Sequence, residues 1–347
     1  MPAEPTESLT ALRRVGVLDG WRGISIVLVL LCHLAPLGGI GNTSIGILGM
    51  VIFFVLSGYL ITSFLLKKTA SLSEFAIRRF FRVVPLAWLY FVIVFAFQTA
   101  TVDAWLAHFL FYANLPPQQI RLATDHMWSL CVEVQFYVGI ALLFGLLRRR
   151  GLLLLPLIGL LFTLYRVHDE VYASSVTWYR VDEILAGCTL ALILHGHCGR
   201  AGEAVVSWMR IVPQWPLCVL LAVCSLYGID EGQWTSYFRP YVGALLVGAT
   251  LVNSRTTLTS WLDRRPLLYL GSISYAVYVI HIGLVNTWLG SGDVVEKYSK
   301  RPLLLLVIIL VAHASTFWFE HPMIDWGKRI ALRFKRTALP VTVSRTP

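Results

Sequence analysis

A series of long apolar runs, separated by short clusters of arginine and lysine, constrains this chain more than any other feature. Gly23–Gly41 and Val83–Thr101 carry no charged side chain, and each is about 18–20 residues long, the length of a helix that crosses a hydrocarbon core of about 30 Å. Charged residues make up 14% of the chain and apolar residues 57%, whereas a soluble globule carries about 25% charged residues. Roughly half of the usual water-facing charge is missing. The chain therefore reads as an all-α polytopic membrane protein whose first partner is the lipid bilayer. A secreted disulfide scaffold and a disordered chain are excluded. So is a nucleic-acid binder, because the net charge of +10 sits in clusters between apolar runs and not on one face of a compact domain.

Ten candidate spans can be marked, near 23–41, 45–66, 83–101, 128–147, 151–166, 180–196, 212–229, 239–253, 267–289 and 302–320. About ten transmembrane helices around an internal polar cavity are expected. Alternate connections hold 22 of the 29 Lys and Arg residues, leaving only Arg121, Arg166, Arg180, Arg239, Lys297, Lys300 and Arg301 on the other side. Basic residues mark the cytoplasmic face, so both termini are expected there. The chain divides into a cytoplasmic segment 1–22, a transmembrane domain 23–320 and a basic cytoplasmic tail 321–347. Residues 1–10 are polar and the first apolar run is too long for a signal h-region. Cys32, Cys131, Cys188 and Cys218 lie in apolar segments without metal-ligand spacing, so they read as packing residues and no metal is expected.

An ionisable group inside the bilayer is costly and usually faces an internal cavity. On the first span Asp19, Arg22 and His33 share one helix face, because eleven steps of 100° bring His33 back beneath Arg22, roughly 16 Å deeper. The alternative is a hydrogen-bonded packing histidine. On the fourth span His126 and Glu133 are seven residues apart and also share a face. If the two helices adjoin, His33 and Glu133 are expected to meet near the midplane, where a carboxylate would raise the basicity of the imidazole and hold its tautomer. Otherwise Glu133 pairs with an arginine of another span. Arg78, Arg79 and Arg82 recur at helical spacing, suited to phosphate oxygens or simply to positive-inside topology. Ser274, Tyr278 and His281 form a polar stripe on the ninth span, which either lines a cavity or bonds a neighbouring helix.

These residues together resemble the acyltransferase 3 family of integral membrane acyltransferases. The resemblance rests on Leu18-Asp19-Gly20-Trp21-Arg22-Gly23 with His33, on the run Phe53 to Ile61, and on Arg78-Arg79-x-x-Arg82-x-x-Pro85. It continues through His126, Trp128-Ser129-Leu130, Glu133 and Gln135-Phe136-Tyr137, then Gly271-x-Ile273-Ser274-Tyr275-x-x-Tyr278-x-x-His281, and closes on Glu320-x-Pro322. Trp21 and Tyr59 depart slightly from the family pattern, and Arg180-Val181-Asp182-Glu183 fits it only loosely.

The resemblance implies ten membrane helices in a bacterial-type inner membrane and transfer of an acyl group, commonly acetyl from acetyl-CoA, to a hydroxyl of a sugar or cell-surface glycan. It carries Arg22 and His33 as the family's arginine–histidine pair and Glu133 as its functional glutamate. On this reading Arg78, Arg79, Arg82 and Arg22 hold the CoA phosphates, and His33, Glu133, Asp19 and Arg22 are the catalytic residues, with His33 as general base. His126, Trp128, Ser129, Tyr275, Tyr278 and His281 line the acceptor's path, and Ser129 and Tyr278 are candidate oxyanion donors. Some members append a soluble hydrolase-like domain, for which the 27 residues after Glu320 are too few. Two other readings stay open: an acyltransferase for a small-molecule or lipid hydroxyl, and a proton-coupled or glycan transporter.

Overall fold

Lipid offers no partner to a backbone N–H or C=O, so apolar runs in a bilayer satisfy their own hydrogen bonds as helices. The computed structural model describes residues 5–226 and 234–337, and among them there are fifteen α-helices and no strand. The first part comprises α1 (Pro5–Leu34), α2 (Gly38–Leu65), α3 (Leu72–Phe97) and the short α4 (Val102–Phe109). A 3-10 turn over Leu122–Met127 leads into α5 (Trp128–Leu152). Then come α6 (Leu155–His168), α7 (Val181–Leu194), α8 (Gly199–Ile211), α9 (Gln214–Ser225) and α10 (Arg239–Val252). The last part holds α11 (Thr257–Leu262), α12 (Arg265–Val285), α13 (Val294–Ser299) and α14 (Arg301–Ser315). One π-helical turn, Thr316–Glu320, joins α14 to α15 (His321–Thr337).

Among the described residues, six stretches are helical, long and apolar enough to cross a membrane: Gly16–Leu34, Gly41–Leu65, Leu72–Phe97, Leu122–Leu152, Arg265–Val285 and Arg301–Phe334. A seventh is reached if α7 and α8, which meet at 98°, count as one broken span. The expectation of about ten is not met by length. Each of the ten expected spans coincides with a helix, but α6, α7 and α10 have 14 residues and α9 has 12. At 1.5 Å per residue these reach only about 18–21 Å, short of the hydrocarbon thickness. Residues 227–229 of the seventh expected span, 1–4 of the N-terminal segment and 338–347 of the basic tail lie outside the described residues.

Local chemistry sets the ends that matter for the interior. Ser71 caps α3 by accepting the Glu74 N–H at 3.1 Å, and Glu74 holds Arg78 at 2.7 Å. The cap thus starts α3 ahead of the arginine cluster, and Arg78, Arg79 and Arg82 all lie on this helix. Asp182 and Glu183 occupy the first turn of α7, where carboxylates are favoured by the helix dipole.

Helices in lipid gain little from apolar burial and associate through close packing of small residues. Here glycines let one backbone lie on another. A Cβ added at Gly58 of α2 would stand 1.9 Å from the Ile184 carbonyl of α7, and one at Gly187 of α7 would stand 2.1 Å from the Val55 carbonyl of α2. A Cβ at Gly271 of α12 would meet the Asp19 carbonyl of α1 at 2.1 Å, and one at Gly23 of α1 would meet the Leu267 carbonyl at 2.2 Å. These contacts clamp α7 to α2 and α12 to α1. At the far end of the chain α15 folds back on α3, with the rings of Phe81 and Trp326 at 5.1 Å.

Gly58→Ala and Gly187→Ala each force backbone apart from backbone, and each is expected to cost about 1–3 kcal/mol. Gly139→Ala, which meets nothing within 4 Å, should leave stability unchanged. Thermal melting of the detergent-solubilised chain checks this; an unshifted melting point for Gly58→Ala would dismiss the clamp.

Candidate active site

Two cavities lie at opposite ends of the α1–α2 pair. The first, about 380 Å³, is lined by Arg22, Leu60, Ser63, Phe64, Lys67, Phe75, Arg78, Arg79, Arg82, Ile324 and Lys328. Six of these side chains are cations and none is a carboxylate. The charge count puts Arg22 and the α3 arginines on one membrane face, and here they line one cavity. Lys67 follows α2, and Lys328 arrives on α15. Arg22 is paired with Asp19 at 2.9 Å, as expected from their spacing.

The second cavity, about 430 Å³, is lined by Val29, Cys32, His33, Thr43, Gly46, Ile47, Met50, Asp125, His126, Trp128, Ala173, Ser174, Ser175, Arg180 and Tyr278. His33 belongs to a cluster of three imidazoles. Its ring centroid lies 5.1 Å from that of His281, which lies 4.9 Å from that of His126. The His281 Nδ1–H donates to the carbonyls of Val277 and Tyr278 at 3.1 and 2.7 Å, and the His126 Nε2–H donates to the Val279 carbonyl at 3.1 Å. Those bonds fix both tautomers, so His281 Nε2 and His126 Nδ1 are lone-pair acceptors, and both are buried without a hydrogen-bond partner among the described residues. None of the described residues form a group of three or more His, Cys, Asp or Glu placed to hold a metal ion.

Ser129, Tyr275 and Tyr278 are committed elsewhere. Tyr278 donates to the His126 carbonyl, which leaves the Ser129 hydroxyl to donate to Tyr278 at 2.6 Å. Tyr275 donates to the Val83 carbonyl at 2.5 Å. These hydroxyls position backbone and helix α12 and offer no free O–H as an oxyanion donor.

Glu133 is not at His33, contrary to expectation. Its carboxylate accepts the Ser57 hydroxyl at 2.5 Å and the Tyr137 hydroxyl. The reason is twofold. His126 lies in the 3-10 turn and α5 begins only at Trp128, so seven steps of one α-helix do not connect His126 to Glu133. Moreover α2, which packs on both α1 and α5, supplies the partner Ser57. That serine lies between Met50, which lines the histidine cavity, and Leu60, which lines the basic one. Glu133 therefore sits in a polar layer between the two cavities. Tyr137 extends the layer towards the basic end, with the Arg79 guanidinium 5.5 Å over its ring. Towards the histidines the apolar ring of Phe53 follows, stacked on Tyr278 at 6.4 Å. No residue lines both cavities.

Arg180, which the sequence shows in a loosely fitting run and without a role, is a buried side chain on the wall of the histidine cavity. It belongs to a network in which Arg166 pairs with Asp182 at 3.1 Å, while Glu183 takes Arg239 at 3.0 Å and Arg180 at 3.1 Å. The available signal was the scarcity of basic residues on that side: Arg166, Arg180 and Arg239 are three of its seven cations. Ser57 and Tyr137 were visible in the motifs without a role, although Tyr137 is one helical turn from Glu133 and so on its face.

A family model described as an acyltransferase domain matches residues 15–321, and the chain belongs to that family. The chain is 26% identical over 361 residues to the O-acetyltransferase OatA of Staphylococcus aureus (strain NCTC 8325 / PS 47), covering 91% of this chain and 58% of that protein. It is 25% identical over 350 residues to the peptidoglycan O-acetyltransferase OatA of Listeria monocytogenes, covering 88% of this chain and 55% of the relative. The chain thus spans less than two thirds of the length of these relatives. No solved structure matches it.

Removing one partner of a buried ion pair strands the other, at about 3–5 kcal/mol. Arg166→Met is expected to lower the melting point sharply, and adding Asp182→Leu should restore most of the loss. A double variant no more stable than the single would show that the pair is not coupled.

Proposed function

We propose that this chain, a multi-pass membrane member of the acyltransferase 3 family, moves an acetyl group from acetyl-CoA to a hydroxyl of a sugar in a cell-surface glycan. The O-acetyltransferase relatives support the reaction class. The observation that carries the reading is the arrangement on α1, where Arg22 lines a cavity of six cations and His33, eleven residues on, lines the cavity at the opposite end. By helix rise the two are about 16 Å apart. That is a separation for an extended donor, with phosphates at one end and the reacting group at the other.

The basic cavity fits the phosphates of a CoA. Arg78, Arg79, Arg82 and Arg22, with Lys67 and Lys328, present six cations on a wall that holds no carboxylate, the Asp19 and Glu74 partners of Arg22 and Arg78 lying outside the lining, and guanidinium forks match phosphate oxygens in pairs. Bound there, acetyl-CoA supplies an acyl group activated as a thioester. In the histidine cavity His33 takes the proton of the acceptor hydroxyl, a general-base role of about 10²–10⁴-fold. His126 Nδ1, whose lone pair faces no other donor, accepts a hydroxyl of the sugar and helps orient it. Glu133, held by Ser57 and Tyr137, keeps the layer between the cavities polar, so that a pantetheine amide can cross it with its hydrogen bonds met.

Sidedness follows from the arginine count. The basic cavity faces the cytoplasm of a bacterial-type cell, where acyl-CoA is available, and both termini lie on that side. The cytoplasmic segment 1–22, the transmembrane unit 23–320 and the basic tail 321–347 follow this sidedness, and α15 (His321–Thr337) returns along the basic face.

His33→Ala should cut acetyl transfer by at least about 100-fold while leaving acetyl-CoA binding unchanged, as read by radiolabelled transfer and a binding isotherm on the purified chain. Full activity would remove His33 from the reaction. Arg78→Ala combined with Arg79→Ala should raise the KM for acetyl-CoA about tenfold or more with kcat little changed; an unaltered KM would reassign these arginines to topology.

A further inference from the structure

Arg166, Arg180 and Arg239 are each 1% exposed, against Asp182 at 2% and Glu183 at 0%. Three guanidinium groups therefore face two carboxylates, leaving one positive charge in excess in the protein interior. The excess is located at Arg180. Arg166 donates to Asp182 and to the Ser236 carbonyl at 2.9 Å, and Arg239 donates to Glu183 at 3.0 Å. Arg180 has only its Nη1 at 3.1 Å from the Glu183 oxygen that Arg239 already uses. Among the described residues, none of its Nε, Nη1 and Nη2 atoms makes a hydrogen bond. Its planar group lies 5.2 Å from the Trp128 ring and 6.0 Å from the Phe54 ring, neither of which takes an N–H in place of an anion. The remaining open side is the histidine cavity. A buried cation with unmet donors is costly unless an anion pairs with it.

We propose that Arg180 is the anchor for a carboxylate carried by the acceptor, so that the histidine cavity selects an acidic sugar. This rests on the reading above, that the same cavity takes the acceptor. One negative charge closes the balance of the network, whereas a phosphate dianion would overshoot it beside Glu183. Asp125 also lines the cavity, but it is exposed and forms no ion pair with Arg180; its charge adds to the case against a dianion. Trp128 and Tyr278 line the same cavity, and His126 Nδ1 offers an acceptor to the hydroxyls of the sugar.

The test uses the full chain in detergent or nanodiscs with methyl β-glucuronide and methyl β-glucoside, which differ in a carboxylate against a hydroxymethyl group. Affinity is read by thermal shift, which needs no turnover. The glucuronide is expected to bind about 10–100-fold more tightly than the glucoside. Arg180→Gln should remove that preference while leaving acetyl-CoA affinity unchanged, since Glu183 keeps Arg239. Arg180→Lys, which retains the charge, should keep part of the preference and guards against a folding defect in the glutamine variant. Equal affinity for the two sugars in the parent chain, or a preference that survives in Arg180→Gln, would overturn the anchor. Inorganic phosphate displacing the glucuronide more effectively than acetate does would overturn the assignment to a carboxylate. Loss of acetyl-CoA binding or consumption in the parent chain would instead count against the acyltransfer reading, and the sugar comparison would still decide the anchor.

Discussion

The contacts on which the rest of this structure depends are those in which one helix backbone rests directly on another. Lipid tails are as apolar as leucine, so side-chain hydrophobicity does not choose among helix arrangements in a bilayer; close packing and hydrogen bonds do. Gly58 and Gly187 lock α2 against α7, and Gly23 and Gly271 lock α1 against α12. Both locks end in the same place. The first holds Arg180, the residue before α7, against Phe54 of α2 and Trp128 of α5. The second carries His281 of α12 to His33 of α1. The histidine cavity is thus a consequence of glycines that never touch it.

Polarity is distributed along these helices in three levels. One end has cations, the middle has a carboxylate held by two hydroxyls, and the other end has imidazoles with fixed tautomers. Each level is built from at least two helices that meet only in the fold. The middle level is the most economical: Tyr137 stands one turn from Glu133 on α5, and Ser57 comes across from α2. A carboxylate with two donors is tolerated at such depth because its charge is partly met by hydrogen bonds, which a lone buried carboxylate lacks.

Much of this was legible in the sequence where the relation was local. The shared face of Asp19 and Arg22 follows from three-residue spacing, and the common membrane side of Arg22, Arg78, Arg79 and Arg82 follows from the distribution of basic residues. The helical class follows from uncharged runs alone. Relations that cross the fold were not legible. The expected meeting of His33 and Glu133 failed because the helix start was counted from His126, while α5 begins two residues later, and because α2 comes between. Lys328 joins the basic cavity only because α15 turns back on α3. The count of about ten crossings is not confirmed by length for a similar reason: apolar content marks a run, but α6, α7, α9 and α10 each stop after 12–14 residues, short of the hydrocarbon thickness.

The role of Arg180 was not legible in the sequence because its meaning is a difference of charges drawn from α6, α7 and α10, and no window of sequence holds all five groups. A buried ion network is a poor source of stability, since desolvation offsets most of the attraction. Apolar side chains would tie α6 and α10 to α7 at least as well as Arg166–Asp182 and Arg239–Glu183 do. What they would not do is leave a guanidinium facing the histidine cavity. Asp182 and Glu183 are neighbours at the start of α7 and turn to different arginines, so each acid is paired with a helix other than its own. Glu183 can then hold Arg180 at one corner without consuming its donors. The network is therefore better understood as a mount for one cation than as a staple between helices, and the odd number of its charges is what distinguishes the two roles.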